Sequence, residues 1–167
     1  MNVKEFAKSI YDMSEDICYE ILERFGNNQN VDKTITYVFM KAYYLHSVRL
    51  YLSSRCRNDL FNEIYEEYTN YLSEYYKINN KDISDELLND IIESFIKMIE
   101  MLETMGFKEI NDSYEFRHYT ILCFDVLRKI LENKSKNEIR QDLFENCISK
   151  FKNTAEDIIF YVERNIK

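Results

Sequence analysis

The chain has 167 residues, a formal net charge of −8, no proline and two glycines. Proteins built from strands and turns need glycine and proline at their corners, so this composition favours few, long α-helices. Hydrophobic residues make up 46% and charged residues 31%, which indicates a folded domain rather than a disordered chain. The acidity also argues against direct binding to nucleic-acid phosphates.

Neither membrane insertion nor secretion is indicated by the sequence. No apolar run is long enough to span a membrane, and residues 1–16 carry charges throughout, unlike a signal peptide. Cys18, Cys56, Cys123 and Cys147 are far apart and form no C-x-x-C pair, so we expect reduced thiols rather than disulfides or a zinc site. These features predict a cytoplasmic protein.

Three helices are predicted in the first half of the chain. Apolar residues at steps of three and four indicate a helix over residues 3–25, which we expect to stop at Gly26. A second helix, near 32–54, has Asp32 as a plausible N-cap and is apolar almost all round, so we expect it to lie at the centre. The third, near 58–77, has a buried stripe rich in tyrosine.

Three more helices are predicted in the second half. Ser84 is the expected N-cap of a helix that continues to Met105, with Gly106 as its stop. The next helix lies near 113–132, and the last runs from about residue 136 to the end. The expected fold is therefore an all-α, compact bundle of about six helices that forms a single domain over residues 1–167.

The two halves of the chain resemble one another weakly. Gly26 and Gly106 each close an acidic helix, and "RLYL…RNDLFNEIYEEY" is echoed by "RKIL…KNEIRQDLFENC". This pattern suggests an internal duplication into three-helix halves of about 1–80 and 81–167. The alternative is that the helices look alike only because they share the same apolar period.

One short motif suggests a metal site. Glu115-x-x-His118 has the spacing with which helical bundles hold iron or manganese, but such sites need two pairs of this kind. The other histidine, His46, has Tyr43 three residues before it, so we expect it to pack in the core with one ring nitrogen hydrogen-bonded. We predict no metal, no cofactor and no catalytic residue, with a metal-binding or metal-dependent enzyme that uses Glu115 and His118 as the alternative.

The negative charge is concentrated in one part of the chain. Residues 63–115 hold fourteen acidic residues against four lysines, whereas residues 1–62 are balanced and residues 116–167 are slightly basic. A row on the third helix and the acids that follow it predict a partner-binding surface. Its residues are Glu63, Glu67, Tyr71, Glu74, Asp82, Asp85, Glu86, Asp90 and Glu93.

These observations favour a non-enzymatic protein that binds a basic protein partner. Its most concrete form is a small acidic inhibitor, of the immunity or phage anti-defence type, which occludes a basic surface of, for example, a nucleic-acid-processing protein. One alternative is that the acidic residues only form a solvated face that keeps the protein in solution. Another is a self-associating structural or adaptor protein, a homodimer that pairs through the tyrosine-rich third helix.

Overall fold

The computed structural model describes residues 2–25, 32–132 and 141–166, and these residues form a compact bundle of α-helices with no strand. The predicted all-α bundle is therefore confirmed. The described residues contain seven helices: α1 (Val3–Met13), α2 (Glu15–Phe25), α3 (Lys33–Ser54), α4 (Asn58–Asn79), α5 (Asp85–Glu103), α6 (Ser113–Glu132) and α7 (Gln141–Asn165).

Two of the predicted helix boundaries are confirmed by their local geometry. The Asp32 side chain accepts hydrogen bonds from the first turn of α3, and the Ser84 hydroxyl accepts one from the first turn of α5. Helix α5 ends at Glu103, two residues before the predicted end at Met105, and Gly106, with the left-handed φ of +88°, lies in the turn that follows the C-cap Thr104. The stop predicted at Gly26 and the helix start predicted near residue 136 lie outside the described residues.

Helix α3 lies at the centre of the bundle, as its apolar sequence predicts. It contacts α2, α4, α5, α6 and α7, and every side chain from Thr36 to Val48 is buried. Even Lys41, His46 and Ser47 have no exposure to solvent. Because buried polar groups destabilise a fold unless they are paired, the partners of Lys41 and His46 determine how the surrounding helices are arranged.

The first predicted helix is interrupted at Ser14, which divides it into α1 and α2. The Tyr11 carbonyl, which a continuous helix would pair with the Glu15 amide, instead accepts hydrogen bonds from the Ser14 hydroxyl and the Lys41 ammonium. The same ammonium lies 2.7 Å from the Ser14 hydroxyl and 2.5 Å from the Glu15 carboxylate. The interruption therefore provides oxygen ligands for a buried lysine, which the apolar period alone could not reveal.

The internal duplication is not confirmed. Residues 1–80 contribute α1 to α4, and residues 81–167 contribute α5 to α7, so the halves differ in their number of described helices. The similar segments "RLYL" and "RKIL" would pair α3 with α6. Helix α6, however, is not buried all round, because Tyr114 and Ile121 are exposed. The duplication stays a prediction.

Two further expectations concern membrane spans and cysteines. Within the described residues, no helix combines the length and the apolar character needed to cross a membrane.

All four cysteines are free; Cys18, Cys123 and Cys147 are buried and Cys56 is exposed. The expectation of free thiols is confirmed.

Candidate functional site

The structure places Glu115 and His118 at the start of α6, where they serve different purposes. The Glu115 carboxylate accepts a hydrogen bond from the Asn111 amide, and the Glu115 amide donates to the Asp112 side chain. These reciprocal bonds cap the helix, in the manner of a capping box. His118 is exposed, with its ring 5.7 Å from that of Phe107. Within the described residues, no group of three or more His, Cys, Asp or Glu side chains is arranged to hold a metal ion.

His46 ties three helices together inside the core. Its Nδ1 atom lies 2.6 Å from the Tyr119 hydroxyl of α6, which confirms the prediction that one ring nitrogen is hydrogen-bonded. Its Nε2 atom has no hydrogen-bond partner but lies 3.4 Å from the Glu103 carboxylate of α5, which Arg49 also binds at 2.8 Å. The neighbouring His46 ring, and then the Arg49 guanidinium, lower the pKa of the Glu103 carboxyl. The ring is fully buried, and its contacts join α3 to α5 and α6.

A second buried network surrounds Lys41. The Tyr11 and Tyr37 hydroxyls are 2.7 Å apart, and the Tyr37 hydroxyl donates to the Glu15 carboxylate at 2.6 Å. The Lys41 ammonium lies 3.8 Å from the centre of the Tyr11 ring, which adds a cation–π contact. Burial raises the pKa of both phenols and raises the pKa of the Cys18 thiol to about 12. The raised pKa values favour the protonated forms of these phenols and of this thiol, and the contacts of the network hold α1, α2 and α3 together.

The predicted row on α4 is only partly exposed. Glu63 and Glu74 are exposed, whereas Glu67 and Tyr71 are half-buried. The Tyr71 hydroxyl donates to the Lys4 carbonyl of α1 at 3.3 Å, so this tyrosine packs against α1. Tyr71 therefore contributes only part of its surface to the row, because α1 covers the rest. Glu67, Tyr71 and Glu74 border a shallow depression of about 230 Å³.

The remaining tyrosines of α4 also pack within the chain. Tyr68 is fully buried, and its ring lies 6.1 Å from that of Phe95 in α5. The Tyr75 ring stacks on Tyr37 of α3 with centroids 4.4 Å apart. These contacts use the apolar face on which the self-association hypothesis depends. Homodimer formation stays a prediction that light scattering can test.

The predicted acids of the α4–α5 connection and of α5 are all exposed; they are Asp82, Asp85, Glu86, Asp90 and Glu93. Asp85 and Glu86 occupy the first turn of α5, where a negative charge interacts favourably with the helix dipole. The nine predicted residues therefore comprise a partly covered group on α4 and an exposed group that extends from the α4–α5 connection along α5.

The predicted carboxylates on α4, on α5 and between them form fewer ion pairs within the protein than carboxylates on other helices. Of the eight predicted carboxylates, only Glu93 has an ion-pair partner among the described residues, Lys97 at 3.1 Å. Carboxylates on other helices are paired more often: Glu20 contacts Arg24 and Lys150, and Asp125 contacts Arg128 and Lys129. The unpaired carboxylates on α4 and α5 are available to an external cation without the loss of an existing pair.

Two exposed apolar residues near these acids were missed by the sequence analysis. Ile78 is 73% exposed and Leu87 is 48% exposed. They flank the connection between α4 and α5, so we call residues 78–90 the α4–α5 tip. Leu87 directly precedes the buried Leu88, and adjacent helical residues point about 100° apart, so on a helix with one buried face a Leu-Leu pair can leave one side chain outside it. That dipeptide, "LL" within "DELLND", is the signal that could have revealed it.

The α4–α5 tip thus combines an acidic surface with exposed apolar side chains. It holds Asp82, Asp85, Glu86 and Asp90 against the single cation Lys81. Comparison of the chain with protein-family models, with curated proteins and with solved structures found no match. The function must therefore be inferred from the geometry and charge of the molecule itself.

Proposed function

We propose that this protein acts by binding a basic protein partner through the α4–α5 tip and the acidic residues beside it. The observation that carries the proposal is the set of carboxylates without ion-pair partners among the described residues, next to the exposed side chains of Ile78 and Leu87. If the acidic residues only kept the protein in solution, their charges would be sufficient and two exposed aliphatic side chains would not be needed.

Charge and apolar area would contribute differently to such an interaction. Unpaired carboxylates attract a basic surface over several ångströms, so they raise the association rate and select against acidic partners. Once water is excluded, Ile78 and Leu87 contribute apolar area at the centre of the contact. The interaction is then expected to weaken with salt but not to vanish, because the apolar part is insensitive to screening.

The most concrete form of the proposal is an inhibitor in the cytoplasm. A bundle that places an acidic tip on a basic groove would block access to that groove without any chemistry of its own. A nucleic-acid-processing protein is a suitable target, because its binding groove is basic and must stay open to function. Inhibition would then be competitive with nucleic acid.

The test uses charge reversal at exposed, unpaired positions. Immobilised protein captures partners from extract of the source cells, first at low and then at high salt, and the retained proteins are identified by mass spectrometry. Changing Glu74, Asp82 and Asp90 together to lysine should release the specific partner, because three attractive charges become repulsive. Changing Leu87 to Ser should weaken the capture and make it more sensitive to salt.

A matched control has the same change in net charge elsewhere. Glu23, Glu109 and Asp157 are exposed and have no ion-pair partner among the described residues, so their joint change to lysine should leave the specific capture intact. Circular dichroism should show that both triple variants are folded. If every captured protein is retained equally by the tip variant and by the control variant, the α4–α5 tip is not the contact and the proposal is wrong.

A further inference from the structure

A cleft of about 400 Å³ opens between the C-terminal end of α3, the start of α6 and the second half of α7. Its floor is formed by side chains that are almost completely buried, Tyr51, Ile110 and Phe116. Phe160 of α7 lines one side and is 57% exposed, and the Arg164 guanidinium lies 5.5 Å from the centre of its ring. A volume of this size is typical of sites for small organic ligands.

The floor is held in place by the chain on both sides of Ile110. The Ile110 amide donates to the Leu50 carbonyl of α3 at 3.3 Å, which ties the α5–α6 connection to the central helix. The next residue, Asn111, donates its amide to the Glu115 carboxylate, and Asp112 caps α6. The cleft is therefore preformed, and a ligand would not have to bear the entropic cost of ordering its floor.

The charges that line the cleft are predominantly negative. Asp112, Glu156 and Glu163 contribute three carboxylates, and Arg55 contributes one guanidinium. Glu163 lies 3.6 Å from Arg55, and both side chains are about half exposed, so this ion pair is weak and can be exchanged for a contact with a ligand. A carboxylate beside an aromatic wall and an apolar floor favours a ligand that is both cationic and apolar.

We propose that this cleft is a binding site for small organic cations that join an aromatic or aliphatic body to an ammonium group. The apolar body lies on Ile110 and Phe116 against the exposed face of Phe160, and the ammonium group lies beside Glu163. The cleft is at the end of α3 that leads into α4, whereas the α4–α5 tip is at the far end of α4. The site is therefore separate from the proposed partner-binding surface, and this inference does not rest on it.

One feature of the cleft favours the opposite charge. Arg55 and the N-terminus of α6 at Ser113 are both positive, and together they attract anions. However, the Asp112 carboxylate and the Glu115 carboxylate already satisfy amides at this helix end. The lining holds three carboxylates against one guanidinium, and Lys152, outside the lining, pairs with Glu156 at 2.9 Å. The net formal charge with this lysine included is −1, so a cation is preferred.

The test is an NMR titration with three probes of the same shape and different charge: 2-phenylethylammonium, 2-phenylethanol and 3-phenylpropionate. The cation should shift the amide resonances of Ser113, Phe116 and Phe160, with a dissociation constant in the millimolar range that suits so small a ligand. The neutral alcohol should bind about five-fold more weakly, because it cannot form an ion pair with the exposed Glu163 carboxylate. The anion should bind most weakly of the three.

Two variants of α7 show whether Glu163 carries the preference. Glu163→Gln should weaken cation binding about five-fold and remove the difference between cation and alcohol. Asp157→Asn removes one negative charge from the same helix outside the cleft lining and should leave binding unchanged. The proposal is overturned if no probe shifts the cleft resonances, if the anion binds as tightly as the cation, or if the two variants behave alike.

Discussion

The ammonium group of Lys41 lies 2.5 Å from the Glu15 carboxylate in the interior of the bundle, where the lysine side chain has no exposure to solvent. Glu15 is the first residue of α2, so the ion pair is made at the point where the first helical segment is interrupted. A buried charge without a partner is strongly destabilising, and this relationship accounts for the interruption of the helix at Ser14.

Lys41→Met should lower the free energy of unfolding by about 3 kcal/mol, because it leaves the Tyr11 carbonyl, the Ser14 hydroxyl and Glu15 without their shared donor. Adding Glu15→Gln should recover part of this loss, since the unpaired charge is removed. Urea denaturation measures both effects. Lys8→Met, which breaks the exposed pair with Asp12, is the control and should have only a small effect, because solvent screens this pair. A Lys41→Met variant as stable as the control would contradict the role given to Lys41.

Glu103 should make the stability of the bundle depend on pH in the acidic range. Its pKa is lowered in the folded protein, first by His46 and then by Arg49, from an ordinary value of 4.5. The folded state therefore binds this proton less readily than the unfolded state, and the stabilisation is complete above pH 4.5 and is lost as the pH falls through the folded-state pKa. Glu103→Gln should destabilise the protein at neutral pH and much less at an acidic pH below the folded-state pKa, where the wild-type carboxyl is itself protonated.

Urea denaturation at the two pH values measures this difference. Glu100→Gln, on the same helix and without an ion-pair partner among the described residues, should have a small effect that does not change between them. An equal loss of stability for Glu103→Gln at both pH values would show that the carboxylate acts through its shape rather than its charge.

Only one of the four thiols should react in the folded protein. Cys56 is exposed, whereas burial raises the pKa of Cys18 and of Cys123 to about 12 and raises the pKa of Cys147. Since the thiolate is the reactive form, a maleimide should modify one site in native protein and four in denaturant. Mass spectrometry of the labelled protein counts the sites. Cys56→Ser should abolish the native reaction, and rapid labelling of a second site would indicate that the core opens.

The start of α6 provides a test of capping against metal binding. Asp112→Ala should lower the free energy of unfolding by about 1 kcal/mol, because the Glu115 amide loses its acceptor. His118→Ala should change it by less than about 0.5 kcal/mol, because this side chain is exposed. Thermal unfolding with and without Mn²⁺, Fe²⁺ or Zn²⁺ measures whether a metal binds the folded state. A rise in melting temperature with metal that disappears in His118→Ala would revive the metal-binding alternative.

The helices and the central position of α3 could be predicted from the sequence because both follow from the spacing of apolar residues. Asp32, Ser84 and Gly106 were identifiable for a related reason, since caps and stops depend on the residue type at a single position. The interruption at Ser14 could not be predicted, because its cause is Lys41, a residue distant in sequence.

The candidate site divides in the same way. Exposure of Asp82 and Asp90 follows from their position on the polar side of their elements, so their place on the surface could be predicted. The burial of Tyr71 could not, because it depends on where α1 docks. The cleft beside Phe160 was also hidden from the sequence, since three separate segments must meet to form it.

The complete burial of α3 has a consequence for how the chain can be divided. Its surface is covered by α2 and α4 from residues 1–80 and by α5, α6 and α7 from residues 81–167. A fragment that ends at residue 80 would leave apolar side chains such as Phe39 and Leu45 without their covering helices, and this exposed area would favour aggregation over folding. Whatever their ancestry, we therefore expect the two halves to fold as one cooperative unit and to regain structure only when they are mixed.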